Sequence, residues 1–175
     1  MMILHGQLLE AIPLLAMLIV AAGLDLRDRR IPNWLTFSLL IAGLFGAGFV
    51  PWYLALAGAA MGFALMLPQF ALSALSGGDV KLMMAVGSWL GPWPTLQIFA
   101  FAAIAGMLIV ISQAIVQGRV TQLVRNSAVL TINLVHLQDV GADHVISTGT
   151  STRALKTHLP YAVPILLGAA AVIFR

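Results

Sequence analysis

Ser76-Gly77-Gly78-Asp79-Val80-Lys81 lies between two long apolar runs, and its reading decides the fold. It puts an acid and a base where a helix apolar enough for a membrane begins. Ionisable groups at the edge of a bilayer are costly and mark functional positions, with a partner to be sought elsewhere in the chain. The candidate partner is Asp25, which follows the apolar run Ala11–Leu24. Beyond it come Leu26-Arg27-Asp28-Arg29-Arg30 and then Ile31-Pro32-Asn33. Proline disfavours a helical residue before it, so a break is expected there, with Asn33 capping the next helix.

The rest of the chain fits a membrane reading. Of its 175 residues, 61% are hydrophobic and 9% charged, with a mean hydropathy of +1.00. A soluble domain carries about 25% charged residues. The composition therefore predicts an all-α, polytopic membrane protein rather than a soluble enzyme. At about 20 residues per span, the length accommodates about six transmembrane helices in one compact bundle. Residues 1–175 are then a single integral membrane domain. The predicted helices are Gln7–Leu26, Trp34–Val50, Trp52–Leu75, Val80–Leu90, Thr95–Val116 and Leu159–Phe174. The fourth is short for a span, so it must borrow residues at its ends or sit deep in the bundle. Gly91-Pro92-Trp93-Pro94 reads as a turn. Alanine and glycine at the start of the third helix allow close helix packing.

Residues 117–158 differ in character, with charges, three histidines and some helical apolar spacing. They predict a cytoplasmic loop or a partly amphipathic surface helix between helices 5 and 6. The first apolar run has no basic segment before it and arginines after it, so it is read as a retained helix and not a signal peptide. There are no cysteines, which excludes disulfides, thiolate metal sites and a cysteine nucleophile. His136, His144 and His158 lack metal-ligand spacing. The net charge of +3 is accounted for by loop arginines, and no nucleic-acid motif is present.

Sidedness follows from the basic residues. With an external N-terminus and six spans, the cytoplasmic side holds Arg27, Arg29, Arg30, Lys81, Arg119, Arg125, Arg153 and Lys156. That is eight of the nine, with Arg175 outside. Both termini are then external, and Asp25 and Asp79 share the cytoplasmic side, a result the count did not assume.

Two carboxylates on one side can hydrolyse a peptide bond if one is ionised to activate water and the other is protonated to assist the carbonyl. Like charges about 3 Å apart cannot both ionise. Helix dipoles suggest Asp79, at a helix N-terminus, as the base and Asp25, at a helix C-terminus, as the acid. Gly77 and Gly78 would let a substrate strand or another helix approach. Blander readings stay open for each residue alone. Gly-Gly-Asp fits a loop with a capping acid, Asp25 could pair with Arg29, and Lys81 could mark sidedness instead of acting on Asp79. Ser76 and Ser88 have no convincing base partner.

Laid out this way, the chain resembles the type IV prepilin peptidase family. The resemblance rests on Asp25-Leu-Arg-Asp-Arg-Arg-Ile-Pro-Asn33 and on Gly77-Gly78-Asp79-Val80-Lys81-Leu82, with Ala85, Gly87 and Gly91 following. Leu159-Pro160-Tyr161-Ala162-Val163-Pro164 is a looser third match. Ser76 stands where the family pattern usually has glycine. The resemblance implies catalytic Asp25 and Asp79, with Gly77, Gly78 and Lys81 shaping the site or its substrate contacts. It implies no metal or organic cofactor, a prepilin-like protein substrate, lipid as surroundings, and cleavage of a basic leader at the cytoplasmic face of the bacterial inner membrane. The lack of cysteines and of a preceding domain resembles the short form associated with Flp (tight-adherence) pili, which has peptidase activity without methyl transfer. The competing readings are a non-catalytic assembly component of a pilus or secretion system, and a small proton-coupled transporter.

Overall fold

A computed structural model describes residues 2–47, 49–71, 75–118, 121 and 161–174. Among these residues the chain is all helical. The elements are α1 (Met2–Asp28), α2 (Asn33–Ala42), a π-helical continuation (Gly43–Ala47), α3 (Trp52–Ala71), α4 (Gly77–Leu90), α5 (Pro92–Val116) and α6 (Ala162–Ile173). The expected segment 117–158, with its histidines, lies largely outside the described residues.

The bundle is organised around α4. It packs against α2, α3, α5 and α6, while α1 closes the ring through α2 and α6. Nine of its residues are buried, from Asp79 to Trp89. The short fourth helix thus sits deep in the bundle; it gains three residues at its start and ends at Leu90 as predicted. Glycines make this possible. Gly58 on α3 and Gly87 on α4 face each other backbone to backbone, and a Cβ on Gly62 would lie 2.6 Å from the Met83 carbonyl oxygen. No side chain fits in such a contact, so α3 and α4 pack at backbone distance, as membrane helices with small residues do.

Several helix ends differ from the sequence expectation; α1 runs Met2–Asp28 where Gln7–Leu26 was expected. Asn33 is the first residue of α2 and not its cap; Pro32 holds the cap position without a side-chain bond. Pro92-Trp93-Pro94 is the first turn of α5 instead of a loop, since proline is tolerated where helix N–H groups have no acceptor. Gly91 alone makes the link, at φ +81°, a conformation that favours glycine. The second helix ends at Ala47 through a π turn, where Val50 was expected. The indole of Trp89 donates from Nε1 to the Leu39 carbonyl at 2.7 Å and ties α4 to α2 just before that turn.

α3 and α5 are long and apolar enough to cross a membrane; α2 with its continuation and α6 are shorter apolar helices. The outer surface carries large apolar side chains, among them Phe63, Phe101, Ile104 and Leu108, while α3 and α5 turn glycine and alanine inward. Such a surface suits lipid, where apolar exposure carries no penalty. Trp34, Trp52 and Trp93 stand exposed at the starts of α2, α3 and α5 and so occupy the two ends of the bundle, as interfacial tryptophans do.

Candidate active site

One end of the bundle gathers the end of α1 and the starts of α2, α4 and α6. α1 stops at Asp28 because Arg29 turns left-handed, at φ +52°, while its N–H still bonds the Asp25 carbonyl at 3.0 Å. The chain then folds back through Ile31 and Pro32. A Cβ on Gly78 would lie 3.2 Å from the Ile31 Cβ, so this link approaches the start of α4 where Gly78 leaves room. The close approach expected at the glycine pair is therefore made by the chain itself.

Five polar or charged side chains are buried among the described residues: Asp25, Thr36, Asp79, Ser88 and Thr95. The three hydroxyls bond carbonyls three or four residues earlier on their own helices. Only the two acids remain to be accounted for, and both lie at this one end, 5% and 3% exposed. Burying such groups is unfavourable unless they are hydrogen-bonded or paired.

Both acids are anchored by hydrogen bonds. Asp25 Oδ2 accepts the N–H of Ala162, the first residue of α6, at 3.1 Å. That N–H is one of the donors a helix N-terminus cannot satisfy internally. Asp79 is held within its own turn: its Oδ2 accepts from the Ser76 N–H at 2.9 Å and the Ser76 hydroxyl at 2.8 Å. The Asp79 N–H returns a longer bond of 3.4 Å to the Ser76 Oγ, completing a capping box. The other oxygen, Oδ1, is buried and has no hydrogen-bond partner among the described residues. Asp79 lies within Coulombic reach of Asp25 and of Tyr161. Tyr161 precedes α6 and rests its ring against Gly106 of α5.

The dipole argument that separated acid from base does not survive this geometry. Asp25 closes α1, where a dipole disfavours the anion, but it also faces the N-terminus of α6, which favours it. Both carboxylates therefore meet a helix N-terminus, so helix ends alone do not distinguish them.

The five nominated residues therefore divide. Asp25, Asp79 and Gly78 lie on the side facing α1 and α6. Gly77 and Lys81 lie elsewhere. At 100° per residue, Gly77, Val80, Lys81 and Met84 share one face of α4, and Asp79 is on roughly the opposite one. That face lines a groove of about 440 Å³ with Thr36, Phe37, Leu40, Phe63, Leu67 and Phe70. Lys81 Nζ donates to Asn33 Oδ1 at 2.9 Å, which is the job Asn33 has in place of capping. Among the described residues, no three His, Asp or Glu side chains cluster as a metal site requires.

Ser76, Tyr161 and Ala162 belong to the site but were not nominated by sequence. Ser76 had a signal, because Ser-x-x-Asp before an apolar run is a capping box. Tyr161 and Ala162 lie in the looser third match, Leu159–Pro164, but nothing in that stretch ties them to Asp25.

Residues 12–111 match the type IV leader peptidase family. Similar proteins include the prepilin leader peptidase/N-methyltransferases of Xanthomonas campestris, Klebsiella pneumoniae and Dickeya chrysanthemi. The first is 33% identical over 109 residues, 57% of this chain and 38% of that protein. The second is 36% identical over 99 residues, 51% and 43% respectively. The third is 34% identical over 111 residues, 57% and 39%. The chain thus spans about two-fifths of the length of these relatives. No solved structure matches it significantly. The match covers more than half of the chain and contains both buried acids, and the chain belongs to the type IV leader peptidase family.

Proposed function

We propose that this chain is an aspartic endopeptidase of the bacterial inner membrane that removes the leader from a prepilin-like substrate at the cytoplasmic face. Asp25 and Asp79 are its paired acids. The observation that carries this reading is the isolation of two buried carboxylates at one end of an otherwise apolar bundle, one of them with a buried oxygen that nothing described engages.

The chemistry needs no further group. One carboxylate takes a proton from water as the water oxygen attacks the peptide carbonyl carbon. The other carboxyl gives its proton to the carbonyl oxygen. In the resulting gem-diol, the first carboxyl gives its proton to the amide nitrogen, the second carboxylate takes a proton from one hydroxyl, the C–N bond breaks, and a new carboxyl and a new amine leave with both acids restored. Asp79 Oδ1 is the oxygen available to water or substrate in this scheme.

The remaining details belong to the same proposal. Six spans with external termini put the pair on the cytoplasmic side. The substrate is of the Flp type, and the chain performs leader cleavage without methyl transfer. The names of the relatives and the family match support leader processing; the finer assignments rest on the sequence.

The test is co-expression with a candidate Flp-type prepilin. Wild type should shorten it, and Asp25→Asn and Asp79→Asn should not, with equal amounts of all three in the membrane. Mass spectrometry of the mature N-terminus should find it unmethylated. Full processing by either variant removes that residue from catalysis and sinks the paired-acid mechanism.

A further inference from the structure

Asp79 is held by an unusual arrangement for a capping acid. The acid of a capping box ordinarily sits in the first turn of a surface helix, where water serves its second oxygen. Here the box is complete, yet the acid is 3% exposed and its second oxygen has no described partner. The box therefore decides which oxygen is committed to the fold and which is left over.

Ser76 supplies two of the donors that do this. Its backbone N–H and its hydroxyl converge on the same atom, Oδ2, at 2.9 and 2.8 Å. One donor alone would leave the carboxylate free to swing about that bond. Two donors from different directions fix its plane and with it the direction of Oδ1. The hydroxyl has a single proton, and in this geometry it goes to Oδ2; its lone pair takes the Asp79 N–H at 3.4 Å. The backbone donor is present whatever residue occupies position 76. The hydroxyl is specific to serine or threonine.

We propose that Ser76 is a positioning residue of the aspartic site: its hydroxyl, acting through Asp79 Oδ2, orients the carboxyl so that Oδ1 faces the reacting groups. This rests on the reading of Asp79 as a catalytic acid. The opposing view is that Ser76 does nothing beyond capping α4.

Glycine and threonine separate the two views. At an N-cap, glycine in place of serine costs far less stability than alanine does, so Ser76→Gly removes the hydroxyl with little effect on the helix. Ser76→Thr keeps a hydroxyl in place. The assay uses the full chain, purified in detergent, with a prepilin that the wild type cleaves. The positioning role predicts a kcat in Ser76→Gly lower by roughly tenfold, with KM unchanged, and recovery in Ser76→Thr. Activity falls without vanishing because the backbone N–H of residue 76 still donates. A second readout does not depend on cleavage. The infrared band of the Asp79 carboxyl, identified by difference against Asp79→Asn, should shift in Ser76→Gly and return in Ser76→Thr.

An unmoved band overturns the proposal whether or not the chain cleaves anything. A moved band with kcat within twofold of wild type also overturns it, and leaves Ser76 as a cap. Full cleavage by Asp79→Asn overturns it by a different route, because then the peptidase assignment of Asp79 has failed, and the infrared result tells the two failures apart.

Discussion

Replacing Asp25 by alanine and by asparagine should separate what this carboxylate does for the fold from what it does for chemistry. Its Oδ2 takes the N–H of Ala162, which is fully buried and opens α6. Asparagine can keep an oxygen at that place. Alanine cannot, and the Ala162 N–H is then left without an acceptor in a dry position. An orphaned buried donor costs about 1–3 kcal/mol. Asparagine is close to the carboxyl in size and shape and keeps the acceptor, so its net effect should be within about 0.5 kcal/mol of wild type. Both variants lose cleavage in the proposed mechanism. Only alanine should loosen α6, by about 1–3 kcal/mol relative to asparagine. Equilibrium denaturation in mixed micelles measures this as a lower midpoint for Asp25→Ala than for Asp25→Asn. Equal midpoints would refute the reasoning, because they would mean that the bond across α1 and α6 does not help to hold α6.

Three further outcomes follow from other contacts. Gly87→Ala should destabilise by about 1–3 kcal/mol, because its new Cβ meets the backbone of Gly58 and backbone cannot move aside as a flexible side chain can; thermal unfolding of the purified chain checks it, and a stability equal to wild type contradicts the backbone contact. Trp89→Phe should cost about 0.5–1.5 kcal/mol beyond its change in packing, since it removes the 2.7 Å bond to the Leu39 carbonyl, which still accepts the Gly43 N–H. A double-mutant cycle of Lys81→Ala with Asn33→Ala should give a coupling below about 1 kcal/mol, because the 2.9 Å bond between them is exposed; no coupling at all would mean that the two residues act independently.

Much of the architecture was legible because its causes are local. Long charge-free runs predicted the helices, and glycine and alanine at the start of the third predicted its close packing. Ser76-Gly77-Gly78-Asp79 carries its own capping box, a pattern readable from the spacing alone. The boundaries that moved are also local in origin. Proline at a helix start resembles proline in a turn, so Pro92-Trp93-Pro94 reads either way until the N–H groups around it are counted. Asn33 has cap chemistry, but Lys81 from another helix took its oxygen.

Sequence alone determined that the chain is a helical membrane-type protein with two acids at helix ends, because composition and periodicity act over a few turns. Tertiary structure decided what surrounds those acids. The donor for Asp25 comes from a residue 137 positions away, and no local pattern announces it. The docking of α4 at the centre, set by glycines on two helices, determines that Asp79 turns toward α1 and α6 while Lys81 turns toward the groove. Hydrogen-bond partners of buried groups depend on which helix ends meet. That meeting is a property of the packed bundle and not of any one stretch.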